Sequence, residues 1–381
     1  MRIPNFGPFL AFSIIGTVTL LPLLVLPAMV GVLVDNAAMT DSSAGFSASA
    51  HFLAGATAGL SLAVRIHHLN LRRLSRLALI GAIAADIASA FTVGDSIFFF
   101  ASRIAAGLAL GSAYVASVAA FARYDDYERG YGLFVTLQFV VSGLGLYIVP
   151  VFADELGGKG LFLAFAAADT LALFLVSYLP MSSGSAAKQE TGESEFAVLL
   201  KYSALLAILG FAVFEAANNA QFAFIERFGV SLTISDHKIG MALLIASLIG
   251  IPGAFIVVLV GGRFGTLLPL IFGIAIALTG LVVLINADRY IAYLIGGCCM
   301  GFSWAFCLPF IQSLLATIDR QGSAIAAGSA FATVGSAAGP GLASIVVVGG
   351  RYVDVFLLSV GLFTISVVLF VMADKTRKQH R

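Results

Sequence analysis

The sequence is short of charge. Asp, Glu, Lys and Arg make up only 11% of its 381 residues, and the formal net charge is +1. Soluble domains carry about 25% charged residues, so this chain lies outside that class. It also offers no basic surface for nucleic acid. Cysteine is scarce as well. Cys298, Cys299 and Cys307 fall in one apolar run, a placement that fits small packing residues better than a disulfide framework or a metal site. No G-x-x-x-x-G-K-[ST] loop occurs, which argues against an ATP-driven pump. H-E-x-x-H and G-x-S-x-G are missing too, and His67 and His68 are adjacent rather than four apart. The expectation is a chain that is not an enzyme and holds no cofactor and no metal.

What the sequence has is apolar length. Hydrophobic residues make up 60% of it, and a membrane-crossing helix needs about 20 of them in a row. Twelve such runs are expected, at 7–34, 43–66, 73–93, 96–122, 130–153, 158–180, 198–226, 237–260, 264–286, 290–317, 321–348 and 352–373. A bilayer offers no partner to free backbone groups, so these runs must be helices. The first is too long for a cleaved signal, whose apolar core is roughly 7–15 residues. The one long polar stretch, MSSGSAAKQETGESE from Met181 to Glu195, divides the chain six and six. The expected organisation is a bundle over 1–180, a cytoplasmic linker over 181–197 and a bundle over 198–381 with a short basic tail. Of the 21 Lys and Arg, fifteen fall on the side of the N-terminus, five on the opposite side, and Arg103 falls inside a span. That bias predicts both termini on the cytoplasmic side of a cell (inner) membrane.

Shifting the second half by 190 residues over the first aligns Gly107 with Gly297, Gly111 with Gly301, Gly132 with Gly322, Gly145 with Gly335 and Pro150 with Pro340, and sets Tyr114 against Trp304. This implies an internal repeat that places the fourth and fifth spans over the tenth and eleventh. Parallel six-helix repeats belong to one transporter architecture.

Four ionisable residues fall well inside spans: Asp86, Arg103, Asp169 and Glu215, with His51 a fifth candidate. Such residues mark functional sites by default. Asp86 lies seven residues from the end of the third span, and Arg103 seven from the start of the fourth. Both therefore sit roughly 10 Å below the same boundary, and an ion pair between them would offset the burial of both charges. His51 is at similar depth. Arg103 then either contacts an anionic group and tunes a proton-carrying carboxyl, or only holds helices together. In the seventh span, Glu215, Asn218, Asn219 and Phe222 recur at i, i+3, i+4, i+7 and form one face. That face must look into the protein, either as a binding surface or as a polar knot between helices. Tyr114, Gln138, Tyr147, Trp304 and Gln312 are further candidates; aromatic rings with few charges suit an amphipathic or aromatic ligand. Asp169 receives no role from the sequence.

R-x-x-x-G-x-x-x-G in the fourth span (Arg103, Gly107, Gly111), a reduced G-R-x-G between the eighth and ninth (Gly262, Arg263, Gly265) and LNLRRLSR between the second and third (Leu69–Arg76) together resemble the major facilitator superfamily, over essentially the whole chain. Neither loop carries the Asp usual in that family. G-x-x-x-G-P-G in the eleventh span (Gly335, Gly339, Pro340, Gly341) is similar to a motif that the family's drug antiporters carry in their fifth. The resemblance implies an all-α integral membrane fold, with two six-helix bundles related by a pseudo-two-fold axis. It also implies secondary transport of a small organic molecule by alternating access, with Arg103 in proton coupling and Gly107, Gly111, Gly335, Gly339, Pro340, Gly262 and Arg263 in packing and gating. The expected partners are a small-molecule substrate, protons and the lipid bilayer, the chain being a monomer. Efflux of an amphipathic or aromatic compound and transport of an organic anion held by Arg103 both remain open.

Overall fold

The computed structural model describes residues 6–63, 65–121, 127–181, 201–260, 263–319 and 323–379. The expected linker, apart from Met181, and Gly262 lie outside them. Among the described residues every regular element is helical, and ten helices are long and apolar enough to cross a membrane. The other two spans are atypical for readable reasons. The first is broken into α1 (Phe6–Thr19), α2 (Leu21–Leu24) and α3 (Leu26–Asp35). Pro22 and Pro27 each occupy the opening turn of a new segment, because proline removes an N–H and clashes with the preceding turn. The expected single helix over 7–34 is thus correct in extent and wrong in continuity. The second span is α4 (Asp41–Ala63), 23 residues long, with enough Ser, Thr and His to lower its hydropathy.

Four helices complete the first six spans and the first compact unit, residues 1–188: α5 (Leu71–Thr92), α6 (Ile97–Phe121), α7 (Tyr127–Val151) and α8 (Ala153–Leu175). Gly157 in α8 has φ 54° and ψ 180°, a left-handed conformation open to glycine. The membrane helix therefore starts there, close to the expected 158. In the second unit, residues 189–381, α9 (Tyr202–Ser231) is followed by α10 (Asp236–Leu248) and α11 (Gly250–Val260), which together form the eighth span. Then come α12 (Leu267–Ile285), α13 (Tyr290–Ile318), α14 (Ser323–Val346) and α15 (Tyr352–Gln379). The interruption between α10 and α11 lies beside Pro252, which cannot donate to the Leu248 carbonyl. α9 runs five residues past the expected end at 226. Arg227, expected in a loop, is instead buried in its closing turns with Glu226.

The packing within each unit repeats. In the first, α4 and α5 pack on α6, α5 packs on α8, and α1 packs on α6, α7 and α8. In the second, the eighth and ninth spans pack on α13, the ninth packs on α15, and α9 packs on α13, α14 and α15. These are the same pairings advanced by six spans, as the 190-residue shift implies. The glycines of the repeat make the close crossings. A Cβ on Gly107 would collide with the His51 carbonyl, and one on Gly111 with the Gly55 backbone. In the second unit, a Cβ on Gly301 would strike the Ala246 carbonyl, and one on Gly335 the Ala212 carbonyl. Small residues let membrane helices approach where lipid removes any hydrophobic drive to associate. Outward faces carry large apolar side chains such as Phe91, Ile97, Phe98 and Phe174, as a surface against lipid requires.

Candidate functional site

The structure collects the intramembrane ionisable residues into two clusters, one in each unit. In the first unit, Arg103 on α6 is 2% exposed and its partner Asp86 on α5 is 0% exposed. Arg103 Nη1 donates to Asp86 Oδ1 at 2.5 Å and to Ser89 Oγ at 3.3 Å. The loop joining α5 to α6 is short, so helix depth alone brings the two charges level. From the other side, α4 supplies His51, whose Nδ1 lies 2.9 Å from Arg103 Nη2. A guanidinium has only donors, so this contact needs Nδ1 to accept, whereas the Arg103 carbonyl needs it to donate, and the ring satisfies one or the other. The same nitrogen is 3.0 Å from the Arg103 carbonyl. This proximity follows from the α4–α6 crossing at Gly107, whose missing side chain admits the His51 backbone. The guanidinium also lies over the Phe162 ring of α8, 4.8 Å from its centroid, a cation–π contact. About two turns further along α8, Asp169 comes within hydrogen-bonding reach of Asp86. Asp169 is 2% exposed, and it joins the group although no role for it is legible in the sequence.

In the second unit the centre is Glu215 on α9. Trp304 Nε1 of α13 donates to its Oε1 at 3.2 Å, and Ser336 Oγ of α14 donates to its Oε2 at 3.0 Å. Asn219 Nδ2 reaches Oε2 at 3.3 Å and the Glu215 carbonyl at 3.0 Å. Both carboxylate oxygens are therefore met by donors, which makes burial of the group tolerable. Ser336 was not anticipated. The signal for it is its position between Gly335 and Gly339, which bring the α14 backbone against α9 at Ala212 and Ala216. That approach straddles Glu215 and carries Ser336 to it. Asn218, expected on the same polar face, is buried but bonds the Phe214 carbonyl of its own helix at 3.0 Å.

Other candidates stand apart from both clusters. Tyr114 lies eleven residues beyond Arg103 on α6, about 16 Å along the axis, and packs in an aromatic group with Phe134. Gln138 on α7 is half-buried, and Gln312 on α13 is exposed. Arg263 is exposed next to the undescribed Gly262. Pro340 stays inside the continuous α14. The cysteines are free; Cys307 is buried with its sulfur against Gly273, a packing role. Among the described residues, no group of three His, Cys, Asp or Glu is placed to hold a metal ion.

Residues 8–319 match the family model described as Major Facilitator Superfamily. No curated protein sequence matches. Among solved structures, a bacterial homologue of the human lysosomal transporter Spinster, in an inward-facing and unoccupied conformation, superposes with a TM-score of 0.78 at 13% identity. The match covers 100% of this chain and 99% of that one. The nucleoside transporter NupG gives a TM-score of 0.76 at 12% identity, covering 97% and 99%. At such identities the structural likeness speaks for the fold alone. With the family model spanning most of the sequence, and helices, repeat and glycine crossings in agreement with it, this multi-pass membrane protein belongs to the major facilitator superfamily of transporters.

Proposed function

We propose that the chain performs proton-coupled efflux of an amphipathic or aromatic small molecule across the cell membrane by alternating access. Secondary transport of a small molecule follows from the family; coupling ion, direction and substrate class are our reading. The observation that carries it is the Glu215 group, in which a buried carboxyl is bonded by the only tryptophan of the chain and by Ser336. A carboxyl beside an aromatic ring, in a membrane helix, can take up either a proton or a polar group of an amphipathic ligand. The helix motif around Gly335 and Pro340, similar to that of drug antiporters, supports efflux. Transport of an organic anion held by Arg103 is the weaker reading, because Asp86, Ser89 and His51 already occupy the guanidinium. The charge bias of the sequence supports cytoplasmic termini in an inner membrane.

The test is Glu215→Gln in proteoliposomes. Glutamine keeps the shape and mimics a permanently protonated carboxyl. The variant is expected to fold and to bind substrate, with flux driven by a pH gradient abolished and downhill exchange retained. Normal driven flux would remove Glu215 from coupling. Loss of binding with intact coupling would make it a substrate ligand only.

A further inference from the structure

The cluster of the first unit holds more negative charge than its partners balance. A carboxylate is acceptor-only, and in an apolar interior each of its oxygens needs a donor. Asp86 Oδ1 has Arg103. Asp86 Oδ2 and Asp169 Oδ2 are both buried, and neither has a hydrogen-bond donor among the described residues. Yet the two carboxyls are within hydrogen-bonding reach of each other. Two acceptors cannot bond without a proton between them.

The surrounding charges do not supply one. His51 Nδ1 lies against the Arg103 guanidinium, so a second cation there would face the first. Ser89 and Ser102 bond each other and the backbone carbonyls of Ala85 and Phe99. The other elements against α8 are α1, α3, α7 and the short turn Val176–Tyr178, whose Tyr178 is exposed. α1 has no ionisable residue, α3 ends on Asp35, and α7 begins with Glu128 and Arg129, all at helix ends. Two carboxylates and one guanidinium therefore leave one uncompensated negative charge in a buried site.

We infer that Asp86 and Asp169 form a proton-binding site, with one proton shared between the two carboxyls while Arg103 compensates the remaining charge. Uptake forms one O–H bond on one carboxyl, and that O–H donates to the other; no other bond changes. A hard metal cation is a poorer occupant, since it needs several oxygen ligands and the nearby hydroxyls are engaged. When the proton leaves, two like charges face each other across the α5–α8 contact, and only one guanidinium serves both. Proton occupancy is thereby linked to the packing of α5 on α8, the kind of two-state contact that a ligand can bias. Glu215 differs, because donors already meet both its oxygens. The site extends the proton-coupled reading above and rests on that reading only for its use in transport.

The experiment is infrared absorption of the purified full chain in lipid nanodiscs at neutral pH, with the proton as the only ligand. A protonated-carboxyl C=O band is expected. It should shift when aspartate carboxyls are isotopically labelled, vanish in Asp169→Asn and in Asp86→Asn, and persist in Glu215→Gln. Asp169→Asn, whose amide N–H can replace the shared proton, is expected to keep the thermal midpoint of the parent, whereas Asp169→Ala lowers it. The labelling arm needs no variant: absence of an aspartate-sensitive band overturns the proposal. So does a band surviving both Asn variants, or one that disappears when sodium replaces choline in the buffer, which would make the occupant a cation. Lack of transport would leave the band unchanged, so the two readings fail separately.

Discussion

Removing one member of the Asp86–Arg103 pair should be far worse for stability than removing both. Arg103 is 2% exposed and Asp86 fully buried, and their contact is 2.5 Å. Changing Asp86 to Ala leaves a guanidinium that cannot shed its charge, with His51 Nδ1 and Ser89 Oγ as its remaining polar side-chain contacts. Breaking a buried ion pair from one side costs about 3–5 kcal/mol. Arg103→Ala, in turn, leaves the carboxyls of Asp86 and Asp169 without this guanidinium, at a similar cost of about 3–5 kcal/mol. If the residues acted independently, the double variant would lose about 6–10 kcal/mol. Removing both charges should instead cost about as much as either single change, giving a coupling energy of at least about 3 kcal/mol, the upper end of the usual range. For a unit of this size that corresponds to a thermal midpoint about 6–12 °C above the additive expectation. The assay is thermal unfolding of the parent, both singles and the double in one detergent. Additive losses would refute the pairing as an energetic unit. Transport should remain absent in the double variant, and its recovery would show that the pair serves structure alone.

Two further outcomes are expected. Gly335→Ala should push α14 away from α9, because the new Cβ meets the Ala212 carbonyl. Overpacking of this kind costs about 1–3 kcal/mol, and the Ser336–Glu215 bond of 3.0 Å should be lost with it; substrate binding should fall as in Ser336→Ala, and unchanged binding would refute the role of the crossing. Single cysteines at positions Ser183 and Asp288, in a background without native cysteine, should be labelled from opposite sides of the membrane, and labelling of both from outside would reject the topology.

Most of the fold was legible because a bilayer reduces the choice of structure. Apolar length gives the spans, and the backbone's need for internal hydrogen bonds makes them helices. Even the pairing of helices within each unit is foreshadowed by the glycine register of the repeat, since Gly107, Gly111, Gly301 and Gly335 sit where backbones touch. The Asp86–Arg103 contact was also legible, because residues at equal depth on helices joined by a short loop have little freedom to miss each other. What hydropathy could not show was the break of the first span at Pro22 and Pro27. Pro150, Pro309 and Pro340 lie inside continuous helices, so proline alone does not decide. The partners of Asp169 and Glu215 were hidden for another reason. Asp86 and Asp169 are 83 residues apart, and Trp304 and Ser336 are 89 and 121 residues from Glu215. Sequence fixes the depth and face of each residue on its own helix. Which distant helix fills that face depends on how six spans pack in a unit, and only tertiary structure decides that a carboxyl meets a donor or another carboxyl.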